Sequence, residues 1–363
     1  IVDGLDGDLP KTKEQVYARE QVLLDQLQTT NVVVQAIRIG AFGIVTTPTE
    51  TYALTGLKFK LRSPLKHTMV IELANGADGY IPPPEQHHLG GYNTWAARSA
   101  GLEVQAEPKI VAEGLRLLET VSGKPRRMNK ESTGPDAESV LNTRPVAYWR
   151  MAEMQGAVAA DASGNGRHAT YEPGVVFFLE GPGSRFTLPS QQNRCAHFAG
   201  GRLRWHSESL KDEYTVVMSI WNGMPNDART TTGWFFSRDF DDGISEVGEH
   251  LGIGGTATEP GRLVWKQAEN TKPFVGRTPI ERWTWNQVAL VRSTNRVQVF
   301  LNGQTEAEID VQSKASDRIV PSVFIGGRSD NDSNFEGRID EVAVFDRAMT
   351  TDEVVGLGPR GEN

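Results

Sequence analysis

The stretch WNQVALVRSTNRVQVFLNG, residues 285–303, decides the fold of most of this chain. Residues 287–291 and 296–301 are short apolar runs joined across Ser293-Thr294-Asn295, and Asn302-Gly303 supplies the next tight turn. That pattern is a β-hairpin. Working outward, similar runs recur at 175–178, 214–221, 233–237, 263–265, 323–325 and 339–345, the spacing of an all-β sandwich.

Toward the N-terminus the pattern changes. Residues 12–28 carry apolar side chains at helical spacing, and 107–121 repeat this with Pro108 in the first turn, where a missing N–H costs little. Between them lie β-branched runs at 31–39, 42–46 and 68–73, a helical stretch at 49–61, and a proline-rich loop at 81–85. Residues 122–142 hold almost no apolar side chains and read as a linker. The expected organisation is therefore mixed: an α/β fragment over 1–121, the linker over 122–142, and an all-β jelly-roll sandwich over 143–357.

Charge and cysteine content exclude several functions. The net charge of −8, with no basic block longer than Lys124-Pro125-Arg126-Arg127, gives no electrostatic footprint for nucleic acid. No apolar stretch approaches the roughly 20 residues of a membrane span. Cys195 is the only cysteine, which rules out an internal disulfide and a thiolate zinc cluster. Cys195-Ala196-His197 lacks an orienting acid and reads as core strand. Residues 330–334 imitate an EF-hand loop, but Phe335 stands where that loop needs glycine.

Four segments, in order, resemble the laminin-G-like, concanavalin-A-like jelly rolls: residues 146–150 leading to 161–166, then 285–291, 297–303 and 337–345. The resemblance implies a binding module and a rim calcium held by Asp161, Asn165 and Asp340. Calcium takes hard oxygen ligands of this kind, whereas an Asx turn explains Asp161 and Asn165 equally well. Tryptophans 149, 205, 221, 234, 265, 283 and 285 suit sugar stacking where exposed, although most lie in strand runs that belong to a core.

Residues 34–121 resemble the closing part of the catalytic domain of neutral ceramidases, on Ile37-Arg38-Ile39-Gly40, Pro48-Thr49-Glu50, Gly79-Tyr80-Ile81 and Gly90-Gly91-Tyr92. That resemblance implies a zinc ion ligated by Glu50 and Tyr80 together with two earlier histidines, and Tyr92 against the scissile amide. The early histidines and a serine have no counterpart here; His67, His87 and His88 do not replace them. The upstream part of the same polypeptide is then an expected partner.

Two functions follow as expectations. One is the C-terminal portion of a zinc-dependent amide hydrolase acting on a lipid amide, with the jelly roll as targeting module. The other is a non-catalytic secreted protein binding a glycan or an extracellular protein. Both place the protein in an extracellular or periplasmic setting.

Overall fold

The computed structural model describes residues 9–359 except 184, 208–209, 242, 269–270 and 316–317. The chain divides into two compact units, Ile1–Lys130 and Glu131–Asn363.

The first unit contains α1 (Lys13–Leu27), β1 (Gln35–Ile39), β2 (Phe42–Thr46), β3 (Glu50–Thr51), α2 (Ala53–Arg62), β4 (His67–Ile71), β5 (Tyr80–Ile81) and α3 (Ala106–Ser122). Thr12 starts α1 through a capping box with Gln15. β1 runs antiparallel to β2, which runs parallel to β4. One face of this sheet packs on α3 through Val45, Val111, Leu115 and Leu118, with Ala36 and Val70 at its edge. The other face carries Ile37, Ile39, Phe42, Met69 and Ile71, each at least 40% exposed. Strands with apolar residues on both faces usually belong to sheets covered on both sides. Beneath α3, Lys58 and Glu107 form a wholly buried ion pair at 2.9 Å that Thr55 joins. The proline-rich stretch expected as loop forms β5 and a short 3-10 turn, Pro84–Leu89.

The second unit opens with α4 (Pro135–Asn142), β6 (Ala147–Trp149), β7 (Val158–Ala159) and β8 (Ala169–Tyr171). Longer strands follow: β9 (Val175–Glu180), β10 (Arg194–Ala199), β11 (Leu203–His206), β12 (Tyr214–Asn222), β13 (Thr231–Asp239), β14 (Glu249–Gly254) and β15 (Arg262–Gln267). Then come β16 (Phe274–Pro279), β17 (Trp285–Ser293), β18 (Arg296–Leu301), β19 (Ile309–Gln312), β20 (Ser322–Ile325), β21 (Glu336–Phe345) and α5 (Thr351–Gly356). The hairpin read from residues 285–303 is β17–β18, with Val291 opposite Gln298.

These strands build two sheets. One has the order β19-β18-β17-β12-β21-β10-β9, with β6 also on β21; the other runs β16-β15-β14-β13-β20-β11-β8-β7. Trp149 against Trp205 and Tyr171 against Phe177 join them across the core. Tyr214 and Arg292 of the first sheet both reach Glu249 of the second, at 2.5 and 2.7 Å.

The outer face of the first sheet is roofed over half its length. Val217, Ala289, Val291, Ala343 and Phe345 pack there with Ala137 and Val140 of α4 and Val354 of α5. The stretch expected as a linker thus differs in its second half. α4 has few apolar residues, but they share one side and fill the roof. Glu131, just before it, pairs with Arg150 at 3.2 Å.

Candidate functional site

In the first unit the structure brings Glu50, Tyr80 and Tyr92 together. After β2 the chain is tied down by Thr47 N to Ile71 O and by Asp78 N to Pro48 O, both at 2.9 Å. Glu50 then lies beside Tyr80 in the β3–β5 pair. Gly79 makes this possible: its φ is +81°, and a Cβ there would stand 2.3 Å from Ser99 O. The Tyr80 and Tyr92 hydroxyls share a hydrogen bond at 3.4 Å, with the rings edge-on at 5.2 Å. Asn93 donates to the Tyr52 hydroxyl alongside. The Tyr92 hydrogen bond, followed by burial and the Glu50 carboxylate, pushes the Tyr80 phenol up to about 12.

Glu50 and Tyr80 offer two oxygen donors, short of the four that zinc takes. Among the described residues no three His, Cys, Asp or Glu side chains are grouped to hold a metal ion. A cleft of about 680 Å³ lies apart from this cluster, between Leu24, Leu27, Leu102 and Ile110. Its cations are already paired, Arg98 with Glu20 and Lys109 with Glu103.

In the second unit Asp161 and Asn165 close a turn. Asp161 accepts from the backbone N–H of Tyr148, Ser163 and Arg167, each at 2.9 Å, and from the Ser163 hydroxyl at 2.8 Å. Burial raises its carboxyl, but these hydrogen bonds outweigh it and hold the group below its ordinary value. Gly164 and Gly166 take positive φ within the loop, and Asn165 Nδ2 donates to Pro145 O and Val146 O at 3.1 Å. These hydrogen bonds hold the turn and anchor it beside β6. Asp340 is wholly buried; Asn193 donates to its Oδ2 at 2.8 Å, and its Oδ1 has no hydrogen-bond partner among the described residues. Burial, then Glu341 and Glu131, push its carboxyl well above the usual range.

Two nucleophile-like arrangements are closed to substrate. The Cys195 thiol is buried, donates to Glu180 O at 3.2 Å, and is pushed far up by burial. Ser237 Oγ lies 2.8 Å from His250 Nδ1, and His250 Nε2 lies 3.7 Å from Asp239, yet none of the three has exposed surface. Burial, then Arg328 and Lys266, lower the His250 imidazole to about 3, so it is neutral.

The tryptophans separate cleanly. Trp149, Trp205, Trp234 and Trp265 are core, whereas Trp283 is 60% exposed and Trp221 and Trp285 are half-buried. The last two face each other across β12–β17. Arg338 is the partner of Trp221 on β21, and His197 the partner of Arg338 on β10. Directly opposed residues share a face, so Trp285, Trp221, Arg338 and His197 form one row across four strands, on the face whose other half is roofed. Arg338 stacks 4.6 Å over Trp221, and Arg282 stacks 4.2 Å over Trp283. Trp283 N donates to Asn222 O at 2.9 Å, which holds it beside the end of the row. The row escapes sequence reading because exposure follows from register. The Trp283-x-Trp285 spacing at a strand start was its one local signal.

Residues 199–355 match the family described as the concanavalin A-like lectin/glucanases superfamily. Together with the two sheets, this makes the second unit a laminin-G/concanavalin A-like jelly roll. Similar solved structures include domain 4 of an extracellular GH43 arabinanase from Geobacillus stearothermophilus, in complex with arabinotriose. It is 17% identical with a TM-score of 0.43, over 59% of this chain and 98% of that one. A Trypanosoma rangeli sialidase is 13% identical with a TM-score of 0.43, over 58% of this chain and 32% of its own length. The binding domain of botulinum neurotoxin serotype G is 15% identical with a TM-score of 0.41, over 59% of this chain and 50% of that one. No curated protein matches the chain. No helix among the described residues is long and apolar enough to cross a membrane.

Proposed function

We propose that this chain is a carbohydrate-binding protein whose jelly roll takes a glycan on the Trp285–Trp221–Arg338–His197 row. The observation that carries this reading is the half-exposed row itself, with Trp283 beside it. Indole faces pack against the apolar faces of sugar rings, and the neighbouring polar groups receive the hydroxyls. The lectins named in the matching family's description agree with a binding role. The test is retention of the full chain on a panel of polysaccharides by affinity electrophoresis, beside a Trp221→Ala, Trp285→Ala double variant. Retention of the wild type and its loss in the variant is the expected result. Failure of the wild type to bind any glycan sinks the reading.

A second reading rests on the convergence of Glu50, Tyr80 and Tyr92. In it the first unit is the closing part of a ceramidase-like zinc amidase acting on a lipid amide. The remaining zinc ligands come from the upstream part of the same polypeptide, for which the bare apolar sheet face offers a surface to cover. Zinc content and N-acylsphingosine hydrolysis of the intact gene product decide it; a metal-free, inactive product removes it.

A further inference from the structure

The glycan platform carries a charge that its rings do not explain. Most arginines of the second unit are neutralised by a carboxylate: Arg150 by Glu341 at 3.0 Å, Arg229 by Glu336 at 3.3 Å, Arg292 by Glu249 at 2.7 Å, Arg328 by Asp330 at 2.6 Å. Arg338 and Arg282 have no carboxylate partner among the described residues. Their hydrogen bonds go to backbone: Arg338 Nη1 donates to Glu180 O at 2.9 Å, and Arg282 Nε to Gly223 O at 2.7 Å. Each lies over an indole of the platform. Among the described residues the buried Nε of Arg338 has no hydrogen-bond partner, nor has the buried Nδ1 of His197 next to it. Stacking strips water from one face of a guanidinium without supplying a counter-charge. In a chain of net charge −8, two such cations on one aromatic surface form an anion site.

We propose that this platform selects glycans whose sugars carry a carboxylate, with the carboxylate on the Arg338 guanidinium and the sugar ring against the adjoining indoles. This rests on the reading of the row as a glycan site and names its ligand class. A planar carboxylate matches the fork of guanidinium donors, and a charge-assisted pair of this kind contributes more than a neutral hydrogen bond. Neutral sugars satisfy the indoles but leave Arg338 and Arg282 uncompensated.

The experiment is calorimetric titration of the full chain with a galacturonate oligomer and with its methyl ester, which keeps the ring and removes the charge. Sialyllactose supplies a second source of sugar carboxylate, and a neutral oligosaccharide completes the set. The acid is expected to bind about tenfold or more tighter than the ester, and less tightly as salt is raised. Arg338→Gln should abolish that preference, bringing acid and ester to the same affinity. Arg282→Gln, on an exposed loop residue, should reduce it and guards against misfolding of the first variant. Stronger binding of sialyllactose than of the uronate supports carboxylate recognition and assigns the sugar. Equal affinity for acid and ester, binding of neutral glycans alone, or a preference that survives both substitutions overturns the inference while glycan binding stands. Absence of binding to every sugar overturns the platform itself.

Discussion

Each unit of this molecule has one sheet with an open face, and the two faces are dressed differently. In the first unit the open face of β1-β2-β4 presents Ile37, Ile39, Phe42, Met69 and Ile71. In the second, the outer face of the longer sheet is roofed by α4 and α5 where it is apolar. Where it is open it shows Trp285, Trp221, Arg338 and His197. The first face is bare and apolar, and its one aromatic ring, Phe42, is already stacked on His67, so it offers little polar chemistry with which to read a ligand. Rings combined with uncompensated cations have both shape and charge, and therefore selectivity. Exposure alone does not mark a recognition surface; what the exposed side chains can pair with does.

The largest effect expected from breaking this contrast lies under the roof. Ala343 has no exposed surface and packs among Ala137, Val140 and Val354. Ala343→Asp places an unpaired carboxylate there and should cost about 3 kcal/mol or more in urea unfolding. A loss under about 1 kcal/mol means that the roof does not close over the sheet.

Next in size is the open half of the same face. Removing Trp221 and Trp285 together should weaken glycan binding about a hundredfold, the scale of a tryptophan-centred hot spot. The thermal midpoint should fall far less, because both rings are only half-buried. Equal affinity in wild type and double variant would move the ligand off this row.

Much of this contrast was legible in the residues, and the part that was not has identifiable causes. Strands β12, β17, β18 and β21 were read within two or three residues, because their apolar runs are long and end at turn formers. β14, of sequence EHLGIG, hides two buried polar residues and two glycines, so its pattern does not look like a strand. β16 and β19 are largely exposed edge strands and carry little apolar signal. α4 reads as linker because a roof of eight residues needs only Ala137, Val140 and Leu141 to face inward. The convergence of Glu50, Tyr80 and Tyr92 came from family resemblance, since no period in the sequence links residues 30 and 12 positions apart. Which tryptophans are exposed depends on pairing between strands over a hundred residues apart, such as β12 with β21.

A smaller effect concerns Glu131, on the edge of the roof. Burial first, with Glu341 and Glu153 adding and Arg150 opposing, pushes its carboxyl up to about 8 from an ordinary 4.5. Between those values the folded chain keeps a proton that the unfolded chain has released. The contribution is therefore full below pH 4.5 and is lost as pH rises toward 8. Glu131→Gln should flatten this fall and leave the variant about 1 kcal/mol more stable than wild type at pH 8. Parallel curves of thermal midpoint against pH for the two proteins would show that Glu131 titrates normally.

The smallest effect is expected on the bare face of the first unit, and its smallness is the point. Ile37 is 49% exposed and Met69 is 49% exposed, and their strands are held by the opposite face, where Val45, Leu115 and Leu118 are buried. Lysine at either position gives up little burial, because its stem can cover the same surface with its ammonium in water. Ile37→Lys and Met69→Lys should each change unfolding free energy by no more than about 0.5 kcal/mol. Both should also lower binding of a hydrophobic dye, because they break a contiguous apolar patch. If either substitution costs as much as is expected of Ala343→Asp, that face is covered in solution and the contrast between the two sheets fails. If stability holds and dye binding drops, the apolar face is open, and the two sheets differ in what they can recognise and not in whether they are exposed.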